Sequence, residues 1–111
     1  MELIEILRDG VMTIEPRGRI GAVEAKPFGE RITELIRSGS SHLLIDLRDT
    51  LYISSAGFRS LLHARKLAEE LQRKLVLCGM SAEVRRLFEI GAFTELFVIC
   101  ATRDEGMLKA K

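Results

Sequence analysis

The chain has 111 residues, a length typical of one domain and too short for two. Apolar residues make up 47% and charged residues 30%, a composition that excludes intrinsic disorder. Seventeen basic and sixteen acidic residues leave a formal charge of +1, so no strong field attracts nucleic acid or an anionic membrane. No apolar stretch is long enough to span a bilayer, and the N-terminus lacks a signal-peptide pattern. We therefore expect a cytoplasmic protein with neither a nucleic-acid nor a membrane partner.

The chain opens with a predicted hairpin followed by a helix. Asp-Gly at positions 9 and 10 separates two runs rich in Leu, Ile, Val and Thr, 2–7 and 11–15, which indicates an antiparallel pair of strands. Apolar residues then recur at helical spacing up to Gly39, and Pro27 suits a first helical turn. This pattern predicts a helix over about 24–37.

Two runs with almost no polar positions, 42–47 and 74–78, are predicted to be buried strands. An amphipathic helix that extends to about 71 lies between them, a second helix begins after Ser81, and a last strand lies near 96–100. Alternation of strands and helices is typical of parallel sheets with right-handed crossovers. We expect an α/β fold with a mixed, largely parallel sheet of four to five strands, an N-terminal hairpin, and helices packed on the sheet.

The last ten residues differ from the rest of the chain. Residues 102–111 are polar and show no strong period. We therefore divide the chain into a folded domain, 1–101, and a polar C-terminal tail, 102–111, that we expect to be frayed.

No cofactor or metal site is indicated by the cysteines or the histidines. Cys78 and Cys100 each lie in an apolar run, without a second ligand at metal-binding spacing, so both are predicted to be buried free thiols. His42 starts a strand and His63 lies on a helix, and neither has a catalytic partner in the pattern. We interpret both histidines as surface or boundary residues.

The segment 51–58 is the best candidate for a functional site. It lies between a buried strand and the following helix, and we interpret it as a strand-to-helix loop at the carboxyl edge of the sheet, where such folds place their sites. Its two serines, Ser54 and Ser55, also have a purely structural explanation, because a serine oxygen can cap the first turn of a helix.

The segment 52–62, together with the preceding Ile45-Asp46-Leu47, resembles the signature of the STAS family, which is named for sulfate transporters and anti-sigma factor antagonists. Residues 18–35 are similar to the loop and first helix of that family. Residues 84–93 and 96–99 are similar to its last helix and strand. The resemblance covers nearly the whole chain and implies the STAS fold.

The resemblance also implies a function in bacterial partner switching. The antagonist binds an anti-sigma factor that is also a serine kinase of the histidine-kinase-like ATPase fold, and this binding releases a sigma factor. The kinase phosphorylates a serine that corresponds to Ser55, and a metal-dependent serine phosphatase removes the phosphate. The implied protein is not an enzyme and has no cofactor. The residues expected to contact the partner are Ser54, Ser55, Ala56, Gly57, Phe58 and Arg59.

The sequence departs from the family pattern beside the phosphorylated serine. The family's commonest form has Asp immediately before that serine, where this chain has Ser54, and often Ser or Thr after it, where this chain has Ala56. The loss of a carboxylate leaves two alternatives open: Ser54 rather than Ser55 is modified, or the domain is an unphosphorylated scaffold or small-ligand module in a sensory complex. Phe58 is assigned to the core, with a role as partner anchor as the alternative.

A hydrolase is the remaining alternative. Residues 53–57 approach the G-x-S-x-G pattern with Ser55 as nucleophile. Ile53 replaces the first glycine, and the only later histidine, His63, lies two turns along the same helix. The pattern therefore disfavours a hydrolase.

Overall fold

Six strands and four helices make up the fold, and the computed structural model describes all residues, 1–111. The strands are β1 (Glu2–Arg8), β2 (Val11–Ile20), β3 (His42–Asp46), β4 (Thr50–Ile53), β5 (Leu75–Cys78) and β6 (Val98–Cys100). The helices are α1 (Ala22–Ser38), α2 (Ser55–Glu70), α3 (Ala82–Ile90) and α4 (Arg103–Ala110), and a short 3-10 turn covers Thr94–Leu96.

The strands form one sheet in the order β1-β2-β3-β5-β6, and β4 pairs with the end of β2. β1 and β2 are antiparallel, and Asp9 and Gly10 between them both have positive φ, as the hairpin prediction requires. All other pairs are parallel, including β3 with β5, where Leu43 lies opposite Leu75. The predicted adjacent, buried and parallel strands at 42–47 and 74–78 are confirmed.

Side chains on the two faces of the sheet meet different helices. Leu43 and Ile45 of β3 belong to the main core, an 18-residue cluster to which α1, α2 and α3 all contribute. Leu44 points to the other face because successive strand residues alternate, and it packs in a smaller cluster beneath α4. The members of that smaller cluster are Val11, Leu44, Val76, Cys78, Cys100 and Ala110. Both cysteines are thus buried and free, as predicted.

β4 was not predicted. The sheet therefore has six strands rather than four to five, and residues 51–53 of the supposed strand-to-helix loop are part of a strand. β4 has only four residues and exposes Leu51, so it has neither the length nor the continuous apolar character that identified β3 and β5. Its place is set by long-range bonds, such as the one that the Thr50 hydroxyl donates to the Pro16 carbonyl at 2.9 Å.

The C-terminal residues are not a frayed tail. Thr102 caps α4 by accepting a hydrogen bond from the Glu105 N–H at 3.2 Å, and α4 packs on β3, β5 and β6. Gly106 permits this packing, because a Cβ atom there would lie 2.6 Å from Leu44 Cδ1. The buried residues of the helix are Gly106 and Ala110, and only Met107 adds a larger apolar side chain to the contact. The apolar face is therefore weak, and the sequence pattern did not reveal it.

The predicted helices lie within a few residues of the observed ones. The last strand begins at Val98 rather than near 96, because the preceding residues form the 3-10 turn. No helix is both long enough and apolar enough to span a bilayer.

Candidate functional site

The site lies where β2 and β4 end side by side. Ile20 and Ile53 are register partners at these ends, and the backbone N–H of Ser54 donates to the Ile20 carbonyl at 2.8 Å. Each strand passes directly into a helix, β2 into α1 and β4 into α2. The first turns of α1 and α2 therefore lie at the same edge of the sheet.

Ser54 is the N-cap of α2. Its backbone is extended, with φ −77° and ψ 169°, and its hydroxyl oxygen accepts a hydrogen bond from the Gly57 N–H at 3.1 Å. Its carbonyl accepts from Phe58 N–H at 2.9 Å. The prediction that one of the two serines caps this helix is confirmed, and the capping residue is Ser54.

Ser55 is the first residue of α2 and has a different environment. Its side chain is exposed and forms no hydrogen bond within the protein, and it is not near the core. No histidine contacts it, because His63 is two turns further along α2 and His42 lies at the opposite end of β3. No histidine is therefore placed to act as a general base for Ser55.

Gly57 and Phe58 face inward. A Cβ atom on Gly57 would lie 2.8 Å from Ile53 Cγ2, so α2 begins in direct contact with the strand ends. Phe58 is 6% exposed and stacks on Phe93 with ring centroids 4.5 Å apart. The assignment of Phe58 to the core is confirmed, and neither Gly57 nor Phe58 offers a side chain to a partner. Of the six expected contact residues, Ser55 and Arg59 are exposed, and Ser54 and Ala56 are half-buried.

Two exposed apolar side chains near the strand ends were missed in the sequence. Val23, in the first turn of α1, is 82% exposed, and Leu51 of β4 is 67% exposed. Val23 lies outside the apolar stripe of α1, whose buried members are Ala25, Phe28, Ile32 and Ile36. The position of Val23 outside the apolar stripe could have indicated its exposure from the sequence. No comparable sequence signal indicated the exposure of Leu51, because β4 was not predicted.

The family model for the STAS domain matches residues 6–106. The chain belongs to the STAS domain family. A curated relative, BtrV of Bordetella bronchiseptica, is provisionally described as an anti-sigma factor antagonist; it is 30% identical over 96 residues, which cover 86% of this chain and 83% of BtrV.

Solved structures share the fold of this STAS domain. TM1081 of Thermotoga maritima, also provisionally described as an anti-sigma factor antagonist, superimposes with a TM-score of 0.90 at 17% identity, covering 97% of this chain and 93% of that one. The Bacillus cell-fate determinant SpoIIAA in its phosphorylated form gives a TM-score of 0.74 at 14% identity, covering 99% of this chain and 100% of that one. The anti-sigma factor antagonist SpoIIAA has also been solved in its unphosphorylated form.

The STAS domain contains a charged cluster on the face that α4 covers. Glu15 and Asp46 are buried, and Arg103 of α4 lies 3.1 Å from Glu15 Oε1 and 3.5 Å from Asp46 Oδ2. Arg17 bonds to Glu15 at 3.0 Å, and Asp46, 3.2 Å from Arg48, raises the pKa of that guanidinium. Every buried carboxylate thus has cationic partners, and the cluster fastens α4 to the sheet.

His42 and Cys78 both have structural environments. His42 Nδ1 accepts a hydrogen bond from the backbone N–H of Lys74 at 3.0 Å, which joins the starts of two strands. Burial raises the pKa of Cys78 to about 12, so its thiol is held in the unreactive protonated form. No group of three potential metal ligands occurs in the chain.

Proposed function

We propose that this STAS domain is an anti-sigma factor antagonist that binds an anti-sigma factor with serine kinase activity, and that phosphorylation of Ser55 ends this binding. The observation that carries the proposal is the exposed, unbonded hydroxyl of Ser55 at the start of a helix that Ser54 already caps. The kinase transfers the γ-phosphoryl group of ATP to Ser55 Oγ, the hydroxyl proton leaves, and ADP is released. A metal-dependent phosphatase reverses the modification by hydrolysis.

The start of α2 can accommodate a phosphate without refolding. The N–H groups of Ser55 and Ala56 have no acceptor in the protein, and the first turn of α2 contains no acidic residue. A phosphate there meets free backbone donors and the positive end of the helix dipole. SpoIIAA, which shares this fold, has structures in both a phosphorylated and an unphosphorylated form, and this supports the same behaviour here.

A phosphate at this place changes the surface offered to a partner. Ser55 lies at the edge of the sheet where Val23 and Leu51 expose apolar side chains. A partner that covers these two side chains would remove water from their surroundings, including the hydroxyl of Ser55. A charge of about −2 would then have to be desolvated, which opposes binding. The proposed switch therefore operates on the contact surface and not on the fold.

Ser54 keeps the helix-capping ability of the family's Asp but lacks its negative charge. Serine and aspartate are similarly good N-cap residues, so α2 keeps its cap. The negative charge beside the phosphorylated serine is lost, and this observation favours the second candidate function, a STAS scaffold or small-ligand module in a sensory complex that is never phosphorylated. A gene for an ATPase-like kinase and one for a serine phosphatase beside this gene would favour the switch.

The test is a calorimetric titration of the purified anti-sigma partner against wild type, Ser55→Ala, Ser55→Asp and Ser54→Asp, with phosphate on wild type mapped by mass spectrometry. We expect Ser55→Ala to bind like wild type, and Ser55→Asp to bind about 5- to 150-fold more weakly, the usual range for such coupling. Ser54→Asp should accelerate phosphorylation of Ser55. Ala82→Asp places the same charge at the first residue of α3 and should leave affinity unchanged.

Two outcomes would contradict the proposal. Equal affinities for wild type, Ser55→Ala and Ser55→Asp, with no phosphate on wild type, would favour the unphosphorylated scaffold. Phosphate mapped to Ser54 would move the switch from Ser55 to the capping residue.

A further inference from the structure

Arg59 is an exposed cation on α2 that has no ionic partner. The ion pairs of α1 and α2 use other residues: Arg31 pairs with Glu5 and Glu34, and Arg65 pairs with Glu69. Arg59 lines the polar groove between α1 and α2 together with Lys26, Glu30 and Glu34, but its guanidinium forms no ion pair with either glutamate. An unpaired arginine is free to bind an anion that appears nearby.

Ser55 lies four residues before Arg59, one turn toward the start of α2. Side chains at this spacing are neighbours on a helix surface, with Cβ atoms about 6 Å apart. Helical side chains also lean toward the N-terminus, so the side chain of Arg59 can reach the turn that contains Ser55. Both side chains are exposed, and no carboxylate in the first turn of α2 competes for Arg59.

The neighbouring helix α1 forms the other side of the groove in which the Arg59 side chain lies. Ser60, the next residue, donates its hydroxyl to the Ala25 carbonyl of α1 at 2.9 Å, and Gly29 packs directly against Ser60. This contact fixes α1 beside α2, and the Arg59 side chain lies along the groove between them. The long, flexible side chain can leave that groove without breaking any bond, because it forms none within the protein.

We propose that Arg59 binds the phosphate when Ser55 is phosphorylated. Arginine can donate two parallel N–H bonds to a phosphate, a geometry that lysine cannot reproduce. The occurrence of the modified form rests on the proposed function, whereas the pairing requires only a phosphate on Ser55. The modification then changes the partner surface twice, because it adds an anion and also withdraws the free cation at Arg59.

The test uses full-length protein in which phosphoserine is inserted at position 55 during translation, so no kinase is needed. A phosphorus NMR titration follows the second ionisation of the phosphate against pH. We expect Arg59→Gln to move the titration midpoint to higher pH by about 0.3 units, since a nearby cation favours the dianion by the energy of an exposed helical pair. Arg59→Lys keeps the positive charge and should therefore raise the midpoint less than Arg59→Gln does. In 1 M salt the difference between wild type and Arg59→Gln should disappear.

Lys66→Gln is the matched control. Lys66 is also an exposed, unpaired cation on α2, but it is about 16 Å from Ser55 along the helix axis, so its removal should leave the midpoint unchanged. An unchanged midpoint in Arg59→Gln, or an equal shift in Lys66→Gln, would overturn the pairing. Either result would contradict the pairing but not the proposed function. Conversely, if the kinase or the partner failed to act on Ser55, the titration would still test the pairing, because the phosphoserine is inserted during translation.

Discussion

The starts of α2 and α3 provide a comparison within one chain. Both helices follow a strand, and both begin after a serine with an extended backbone, Ser54 and Ser81. Each serine oxygen accepts a hydrogen bond from the N–H three residues later, at 3.1 Å from Gly57 and 3.2 Å from Val84. A serine-capped strand-to-helix junction is therefore not unique to α2 and does not by itself identify a site.

The difference lies in the three residues that follow each cap. After Ser54 the chain continues with Ser55, Ala56 and Gly57, and after Ser81 with Ala82, Glu83 and Val84. The first turn of α3 thus has an acidic residue and no hydroxyl to modify, whereas the first turn of α2 is uncharged and has an exposed hydroxyl. What makes α2 a candidate switch is therefore a second, unbonded serine in an uncharged first turn, and not the cap.

The largest expected effect of a substitution in these turns is at the third residue. Gly57→Ala should lower the free energy of unfolding by about 1–3 kcal/mol, because the added Cβ would lie 2.8 Å from Ile53 Cγ2 and 3.0 Å from Ile20 Cγ2. In an unconstrained helix the same change is stabilising by about 1 kcal/mol. Denaturant unfolding measures the sign of this change in the free energy of unfolding. A gain in stability would show that α2 is free to move away from the strands.

The two caps should contribute equally. Ser54→Ala and Ser81→Ala should each lower the free energy of unfolding by about 1 kcal/mol, since each removes one hydrogen bond to a first-turn N–H. Thermal and denaturant unfolding of the two variants side by side provides the measurement. If Ser54→Ala were neutral while Ser81→Ala was destabilising, Ser55 would have to be able to take over the cap, and the separation of roles between the two serines would fail.

The smallest effect is expected at the first residue of each helix. Ser55→Ala and Ala82→Ser should both change the free energy of unfolding by less than about 0.5 kcal/mol, because both positions are exposed and the Ser55 side chain has no partner. A loss near 1 kcal/mol in Ser55→Ala alone would indicate that this hydroxyl has a structural role in the unmodified protein.

The main elements followed from local pattern. The hairpin at Asp9-Gly10, the continuous apolar runs of β3 and β5, and the caps of α2 and α3 each depend on residues close in sequence. These features were therefore predictable, and so was the presence of a serine pair at the start of α2. The family resemblance of residues 52–62 added the assignment of Ser55, which stays a prediction.

β4 and α4 could not be predicted, for related physical reasons. β4 is a short strand with an exposed Leu51, and it is held by bonds to β2, including that from Thr50 to the Pro16 carbonyl 34 residues earlier. α4 buries Gly106 and Ala110, residues whose small size allows close approach to the sheet but gives no apolar period. In both cases the stabilising contacts are with distant parts of the chain.

Helices and strands could be located from local pattern wherever burial imposes an apolar period or a continuous apolar run. The same pattern placed two serines where a strand is followed by a helix. Three features are visible only in the folded structure: Ser54 is the cap, Gly57 lies against Ile20 and Ile53 at the strand ends, and Val23 and Leu51 are exposed. The Ser54 N–H donates to the Ile20 carbonyl and Gly57 lies against Ile20, so the residue at which α2 begins depends on β2. The residues of β2 are more than 30 positions away in the chain and become neighbours only when the parallel strands pair.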